Sequence, residues 1–280
     1  MALMIDAFEG VGIDDPAHDA RLLLCAAAGV DHAALIRDPE APLDDEASER
    51  LAGFAGRRLA REPVTRILGM RGFWSLDVEV AAGALDPRPD SETLIDAALR
   101  LFGDRQEEAL RLADLGSGSG ALICALLDVF PNATGLAVDI APAARDLTRR
   151  NLARCGFAAR GEARLGDWTE LGEGDFDLVV SNPPYIASAE IDGLDPEVRN
   201  FDPRIALDGG PDGLDAYRSL ASVLPRLLKR GGHAILEVGW TQAADVLRTL
   251  ESTELLGVGT QRDLSGVERA VLLERPKRTD

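Results

Sequence analysis

Hydrophobic positions along the chain change period twice. From residue 1 to about 62 they recur at helical spacing between short polar breaks. Ala20, Leu23, Leu24 and Ala27 share one face after Pro16, with Gly29 as a stop signal. Ala47, Leu51, Phe54 and Ala55 share another after Asp44 and Asp45, ending before Pro63. This predicts a small helical domain over 1–63. Between Val64 and Val80 the period shortens, and Phe73, Leu76, Val78 and Val80 predict a hairpin linker over 64–86. From Arg111 onward the pattern is strand, loop, helix, repeated, within a larger α/β domain over 87–280.

The first of these units runs from Arg111–Leu115 through Gly116, Ser117, Gly118, Ser119 and Gly120 into an apolar helix beginning at Ala121. A Gly-Ser run alone reads as a flexible linker; between a buried strand and a helix it instead lets a ligand approach the backbone at a helix N-terminus. The second strand, Thr134–Ile140, carries Asp139 near its tip, 25 residues past Asp114, where a carboxylate suits the two hydroxyls of a ribose. Pro142 opens a helix that stops at Gly156, and a third strand around Ala163–Leu165 delivers Gly166, Asp167 and Trp168. Consecutive βα units dictate a right-handed, largely parallel, Rossmann-like sheet with ligands at the carboxyl ends of its strands. Asp114, the glycine loop, Asp139, Asp167-Trp168 and Asn182 all fall at those ends.

The fourth strand, Phe176–Val180, runs into Ser181-Asn182-Pro183-Pro184-Tyr185. Two prolines remove two backbone donors and fix two φ angles, so the strand stops and the chain leaves in one direction. Asn182 offers a side-chain carbonyl and a proline offers a peptide carbonyl; together they match the two hydrogens of a planar NH2 group, with Tyr185 able to lie flat against it. An amide or an exocyclic base amine suits such a pocket. Upstream, Pro87-Arg88-Pro89-Asp90-Ser91-Glu92 is a stiff connector in which Asp90 or Ser91 can cap the following helix; it reads either as a plain linker or as a segment that aims Arg88 and Glu92 at the site. Downstream, residues 186–212 predict a substrate-shaping loop, followed by a helix over 214–228 stopped at Gly231-Gly232, a strand over 233–238, and a final helix and strand ending at Leu273. Glu237 reads as a strand-end carboxylate.

Charge narrows the partners. Thirty Lys and Arg against 48 Asp and Glu leave the 280-residue chain at −18, which would repel duplex nucleic acid, although Arg57, Arg58, Arg61, Arg66 and Arg71 make one stretch locally basic. Three scattered cysteines and three histidines without ligand spacing predict neither a disulfide nor a metal site. No stretch is apolar enough to span a bilayer, and Met1–Asp6 lacks a basic region followed by an apolar one, so a cytoplasmic protein is expected.

The sequence resembles a known family on these residues. Asp114-Leu115-Gly116-Ser117-Gly118-Ser119-Gly120, Asp139 and Ser181–Tyr185 look like the motifs of class I S-adenosylmethionine-dependent methyltransferases acting on planar amino groups. Pro87–Glu92, Arg199–Gly210, Asp212–Asp215, Leu236–Gly239 and Asp263–Arg269 are similar to the bacterial peptide chain release factor N(5)-glutamine methyltransferases. Asp86 departs from that pattern, standing where the family carries an aliphatic residue.

The resemblance implies a seven-stranded, mostly parallel sheet preceded by a helical substrate-binding domain. It implies S-adenosyl-L-methionine as cofactor and S-adenosyl-L-homocysteine as product, and methylation of the Gly-Gly-Gln glutamine of class 1 release factors by a monomer. Cofactor binding is carried to Gly116, Ser117, Gly118, Ser119, Gly120, Asp139, Trp168 and Asn182. Catalysis is carried to Asn182, Pro183 and Tyr185, and substrate binding to these with Pro184 and Arg88. The alternative is an adenine-N6 methyltransferase acting on DNA or RNA, which would place a flipped base in the same pocket. A non-catalytic module that only binds the cofactor is a third reading, and the intact Asn182–Tyr185 motif opposes it.

Overall fold

A computed structural model describes residues 1–251 and 253–277, which divide into two compact units. One comprises Met1–Met70 together with Asp195–Phe201. Its helices are α1 (Ala2–Gly10), α2 (Pro16–Ala28), α3 (His32–Arg37), α4 (Asp45–Leu59) and α5 (Val64–Leu68). Asp15, Asp31 and Asp44 cap α2, α3 and α4 by accepting from the backbone N–H three residues on. Phe8, Ile13, Leu23, Val64 and Ile67 form the core, with Leu51, Phe54 and Ala55 packed against it.

Two expectations change here. Val64–Leu68 is a helical turn closed by Gly69 at φ 72°, so the hairpin begins at Met70 rather than Val64. The reason is burial: Val64 and Ile67, three apart, face the helical core together. The basic stretch is also paired internally. Glu197 accepts from Arg58 at 2.9 Å and from Arg61 at 2.6 and 2.7 Å, Asp19 accepts from Arg58 at 2.7 Å, and Glu62 takes Arg57.

The other unit begins at Arg71, with β1 (Met70–Phe73) and β2 (Leu76–Glu79) as a two-stranded ribbon. Then follow α6 (Glu92–Phe102), β3 (Arg111–Leu115), α7 (Ala121–Val129), β4 (Thr134–Asp139), α8 (Pro142–Arg154), β5 (Gly161–Leu165) and β6 (Phe176–Ser181). The chain next passes through α9 (Pro196–Phe201), which belongs to the first unit, and continues as α10 (Asp215–Leu227), β7 (Leu228–Glu237), α11 (Ala243–Glu251), β8 (Leu256–Arg262) and β9 (Glu268–Glu274). Among the described residues seven strands form one sheet in the order β5-β4-β3-β6-β7-β9-β8, in which β9 pairs antiparallel with β7 and β8 and the other pairings are parallel.

Strand side chains alternate strictly between two cores. Leu112, Leu178, Val180, Ile235 and Leu272 join α6 and α7 on one face. Ala113, Val179, Ala234, Leu236 and Val271 join α10 and α11 on the other. Residues on such strands are buried on both faces, which is why they read as continuous apolar runs.

The end of α10 departs from expectation. The helix stops at Leu227, and Gly231-Gly232 lie within β7, because Leu228 pairs with Phe176 and His233 with Leu178 across an irregularity in the ladder. A strand, β8, also stands beyond the single one expected after α11. No helix among the described residues is long and apolar enough to cross a membrane.

Candidate active site

The carboxyl ends of β3, β4, β5 and β6 open onto a cavity of about 330 Å³. Of the residues singled out in the sequence, Gly116, Ser117, Gly118, Ser119, Asp139, Trp168, Asn182, Pro184 and Arg88 line it. Gly120, Pro183 and Tyr185 are not among the lining residues.

Gly116, Gly118 and Gly120 adopt φ of 75°, 55° and 78°, which explains the spacing of the glycines. The Gly116 and Ser117 N–H groups donate to Val138 O, and the Gly118 N–H donates to Asp139 Oδ2 at 2.8 Å. Asp139 Oδ1 accepts from Ala141 N at 2.8 Å, so this carboxylate is clamped at the rim. Helix α8 holds the loop from behind: Thr148 Oγ1 donates to Gly118 O, and Asn151 Nδ2 to Ser119 O at 2.9 Å. Neither residue has a sequence signal beyond its helical phase. The Trp168 ring lies against Gly116, with Nε1 donating to Ser219 Oγ at 2.8 Å.

Asn182 follows β6, whose last residue, Ser181, is fully buried and donates to Leu115 O at 2.6 Å. Asn182 Nδ2 donates to Ser91 Oγ at 3.0 Å, and the Ser91 hydroxyl donates to Glu237 Oε2 at 2.5 Å. Ser91 therefore occupies the helix N-cap without a side-chain capping bond, contrary to the capping expected of it. Its hydroxyl is taken by a carboxylate 146 residues away. Glu237, read only as a strand end, is buried at the site, and burial pushes its carboxyl up to about 7. Tyr217 Oη donates to the Glu237 backbone carbonyl at 2.7 Å.

Tyr185 is held by its backbone: its carbonyl accepts from Gln242 Nε2 at 2.9 Å. Burial pushes its phenol up to about 12, keeping it neutral at physiological pH. Arg88 donates to Asp202 Oδ2 at 2.6 Å, while Glu92 accepts from Trp74 N and supports the ribbon instead of facing the cavity. Asp86, the departure from the family pattern, is buried with Arg71 3.6 Å away, so a charge partner compensates for the missing aliphatic side chain.

Asp114 lies within the sheet and does not line the cavity. Burial, followed by the charge of Asp139, raises its carboxyl to about 7. A carboxyl whose folded pKa exceeds its unfolded value loses its proton first in the unfolded chain, so stability falls as pH rises between about 4 and 7. Asp114→Asn, which cannot ionise, is expected to gain on wild type by a few kcal/mol across that window. Urea melts of both proteins at pH 4.5 and 7.5 measure it, and a constant difference refutes it.

The cavity fits an adenosine-bearing cofactor with a cationic centre. Beyond its two chain neighbours, no atom of the described residues lies within 4 Å of where a Cβ on Gly118 would stand, leaving an open cradle beside the loop. Asp139, Asp167 and Asp208 line the cavity, and among the described residues Arg88, paired with Asp202, is its one lining cation. Among the described residues no cluster of three or more His, Cys, Asp or Glu could hold a metal ion.

Comparison with known proteins places this architecture. Residues 2–69 match the PrmC N-terminal domain, and residues 91–194 match the methyltransferase small domain. The chain is 45% identical to the release factor glutamine methyltransferase of Rhodospirillum rubrum over 94% of its own length and 80% of that protein's. It is 43% identical to that of Caulobacter vibrioides, covering 95% and 92%. Among solved structures, the T. thermophilus 16S rRNA N2 G1207 methyltransferase in complex with AdoMet and guanosine gives a TM-score of 0.51 at 19% identity. That match covers 75% of this chain and 50% of that one, and is a likeness of fold.

Proposed function

Since the chain belongs to the release factor glutamine methyltransferase family, we propose that Asn182 and its neighbours present the glutamine amide of a class 1 release factor's Gly-Gly-Gln motif for N-methylation. The enzyme uses S-adenosyl-L-methionine, which when bound supplies an electrophilic sulfonium methyl group. Gly116 through Gly120 would hold it along their backbone, Asp139 at its ribose and Trp168 at its base, with the cavity carboxylates favouring its positive charge. The observation that carries the reading is the state of the Asn182 amide. Its NH2 is used by Ser91, and its Oδ1 has no partner among the described residues, which leaves an acceptor at the cavity wall.

A glutamine amide nitrogen is a poor nucleophile because its lone pair is delocalised into the carbonyl. Asn182 Oδ1 and the Pro183 carbonyl each accept one hydrogen of that NH2, which favours a pyramidal nitrogen with its lone pair free. Tyr185 orients the amide plane, and Pro184 and Arg88 border the substrate. Positioning of this kind is worth roughly 7–11 kcal/mol in well-oriented cases, so no strong general base is assigned. The product amide gives up its proton after it forms. The protein acts in the cytoplasm as a monomer and takes no nucleic acid directly, consistent with its charge of −18.

Labelled S-adenosylmethionine incubated with a purified class 1 release factor, with the same factor lacking its Gly-Gly-Gln glutamine, and with duplex DNA tests this. Label on the intact factor alone is expected. Label on DNA would establish the adenine alternative, and cofactor binding without label would establish the non-catalytic one.

A further inference from the structure

The polarity of the hydrogen-bond chain behind Asn182 has a chemical consequence. A hydroxyl has one proton and two lone pairs, and an ionised carboxylate only accepts. When ionised, Glu237 takes the proton of Ser91, so Ser91 can then offer Asn182 nothing but lone pairs. Only the NH2 of Asn182 can face Ser91, and the carbonyl must face the other way. Glu237 is 1% exposed and Ser91 3%, so water does not compete for either group.

We propose that Ser91 and Glu237 are positioning residues that fix the orientation of the Asn182 amide, so that its carbonyl oxygen rather than its NH2 meets the substrate. The proposal rests on Asn182 being the acceptor for the substrate amide. Without the relay the two amide orientations of Asn182 compete, and one of them sets an NH2 against the substrate's NH2. The device spans three segments that the sheet brings together: the start of α6, the loop after β6 and the end of β7.

The relay also reverses with protonation. A protonated Glu237 can donate to Ser91, releasing the Ser91 proton toward Asn182 Oδ1 and turning the amide round. The charged and titratable groups around Glu237 are Asp90, Arg269, Tyr185 and Tyr217. Burial raises the Glu237 carboxyl, the Ser91 hydroxyl and Arg269 draw it down, Asp90 raises it and the Tyr185 hydroxyl draws it down, leaving it at about 7. Arg269 also pairs with Asp90 at 3.1 Å. The sign follows directly: kcat falls as pH drops through this range and is full above it.

Ser91→Ala, Ser91→Thr, Glu237→Gln, Asn182→Ala and the Ser91→Ala/Asn182→Ala double variant, assayed as full chains on a release factor and checked for folding by thermal melts, test the relay. Ser91→Ala is expected to lower kcat on the order of tenfold, the worth of one directing hydrogen bond, with cofactor affinity unchanged. Ser91→Thr keeps the hydroxyl and restores kcat. Glu237→Gln removes the acid limb of the pH profile, and it carries the test if Ser91→Ala, with its unpartnered buried carboxylate, fails to fold. On the Asn182→Ala background Ser91→Ala produces no further loss, since its effect passes through Asn182. Wild-type kcat in Ser91→Ala, an additive double variant, or an acid limb that persists in Glu237→Gln overturns the relay alone. A wild-type chain that binds cofactor but labels no release factor overturns the functional reading, and the relay with it.

Discussion

Asn182→Ala is expected to lower kcat by on the order of 10²–10³, the scale for losing one preorganised group at a reacting centre, while the cofactor Kd stays within a few-fold. The asymmetry follows from where the groups sit. The cofactor cradle is built from the backbone of residues 116–120 and from Asp139, tied to each other through Gly118 N and to α8 through Thr148 and Asn151. None of those bonds involves Asn182. Among the described residues its side chain bonds to Ser91 alone, which leaves its oxygen as an acceptor at the cavity wall. Removing it strips an acceptor from the substrate amide and leaves the cradle standing. Single-turnover methyl transfer set beside calorimetric cofactor binding separates the two effects. Equal losses in both would instead place Asn182 in the cofactor cradle.

Gly120→Ala is expected to destabilise the protein and to weaken cofactor binding together. At φ 78° an alanine costs about 1–2 kcal/mol from backbone sterics alone. Its Cβ would stand 2.8 Å from Thr148 Cγ2 and 3.0 Å from Thr148 Cα, and overpacking against a helix backbone adds roughly 1–3 kcal/mol. Relief requires α8 to withdraw, which breaks the Thr148 and Asn151 bonds that shape the loop. A midpoint lowered by on the order of 10 °C is the expected thermal result. Gly118→Ala is the informative contrast. Its Cβ would meet no atom of the described residues within 4 Å beyond its chain neighbours, so it carries the backbone penalty but no clash, and its methyl group points into open space beside the loop. Melting curves and cofactor titrations on both variants check this; a Gly120→Ala protein as stable as Gly118→Ala would refute the packing argument.

Much of the site was legible because its chemistry is local. Glycines at three alternate positions between a strand and a helix announce positive φ angles, and these are where the chain adopts them. Two prolines after an apolar run announce the end of β6, and Asp139 is announced by its place at the tip of the next strand. In each case the residue's own covalent structure dictates the backbone, so neighbours in sequence carry the information. The two cores of the sheet were not legible in this way, since strands buried on both faces read as continuous apolar runs; the packing of α6 and α7 on one side and of α10 and α11 on the other is what separates them.

Other features depended on contacts between distant segments. Ser91 has the local signature of a helix cap, and only the arrival of Glu237 at the end of β7 takes its hydroxyl away. Leu228–Gly232 reads as the tail and stop of a helix, yet the Leu228 pairing with Phe176 makes it strand. Arg58 and Arg61 read as a basic patch until Glu197, more than 130 residues away, closes on both. These cases share one cause. A hydroxyl, a carboxylate or a guanidinium accepts many partners with similar energy, so its sequence neighbours do not choose among them; burial removes water as a competitor, and the topology decides which partner remains.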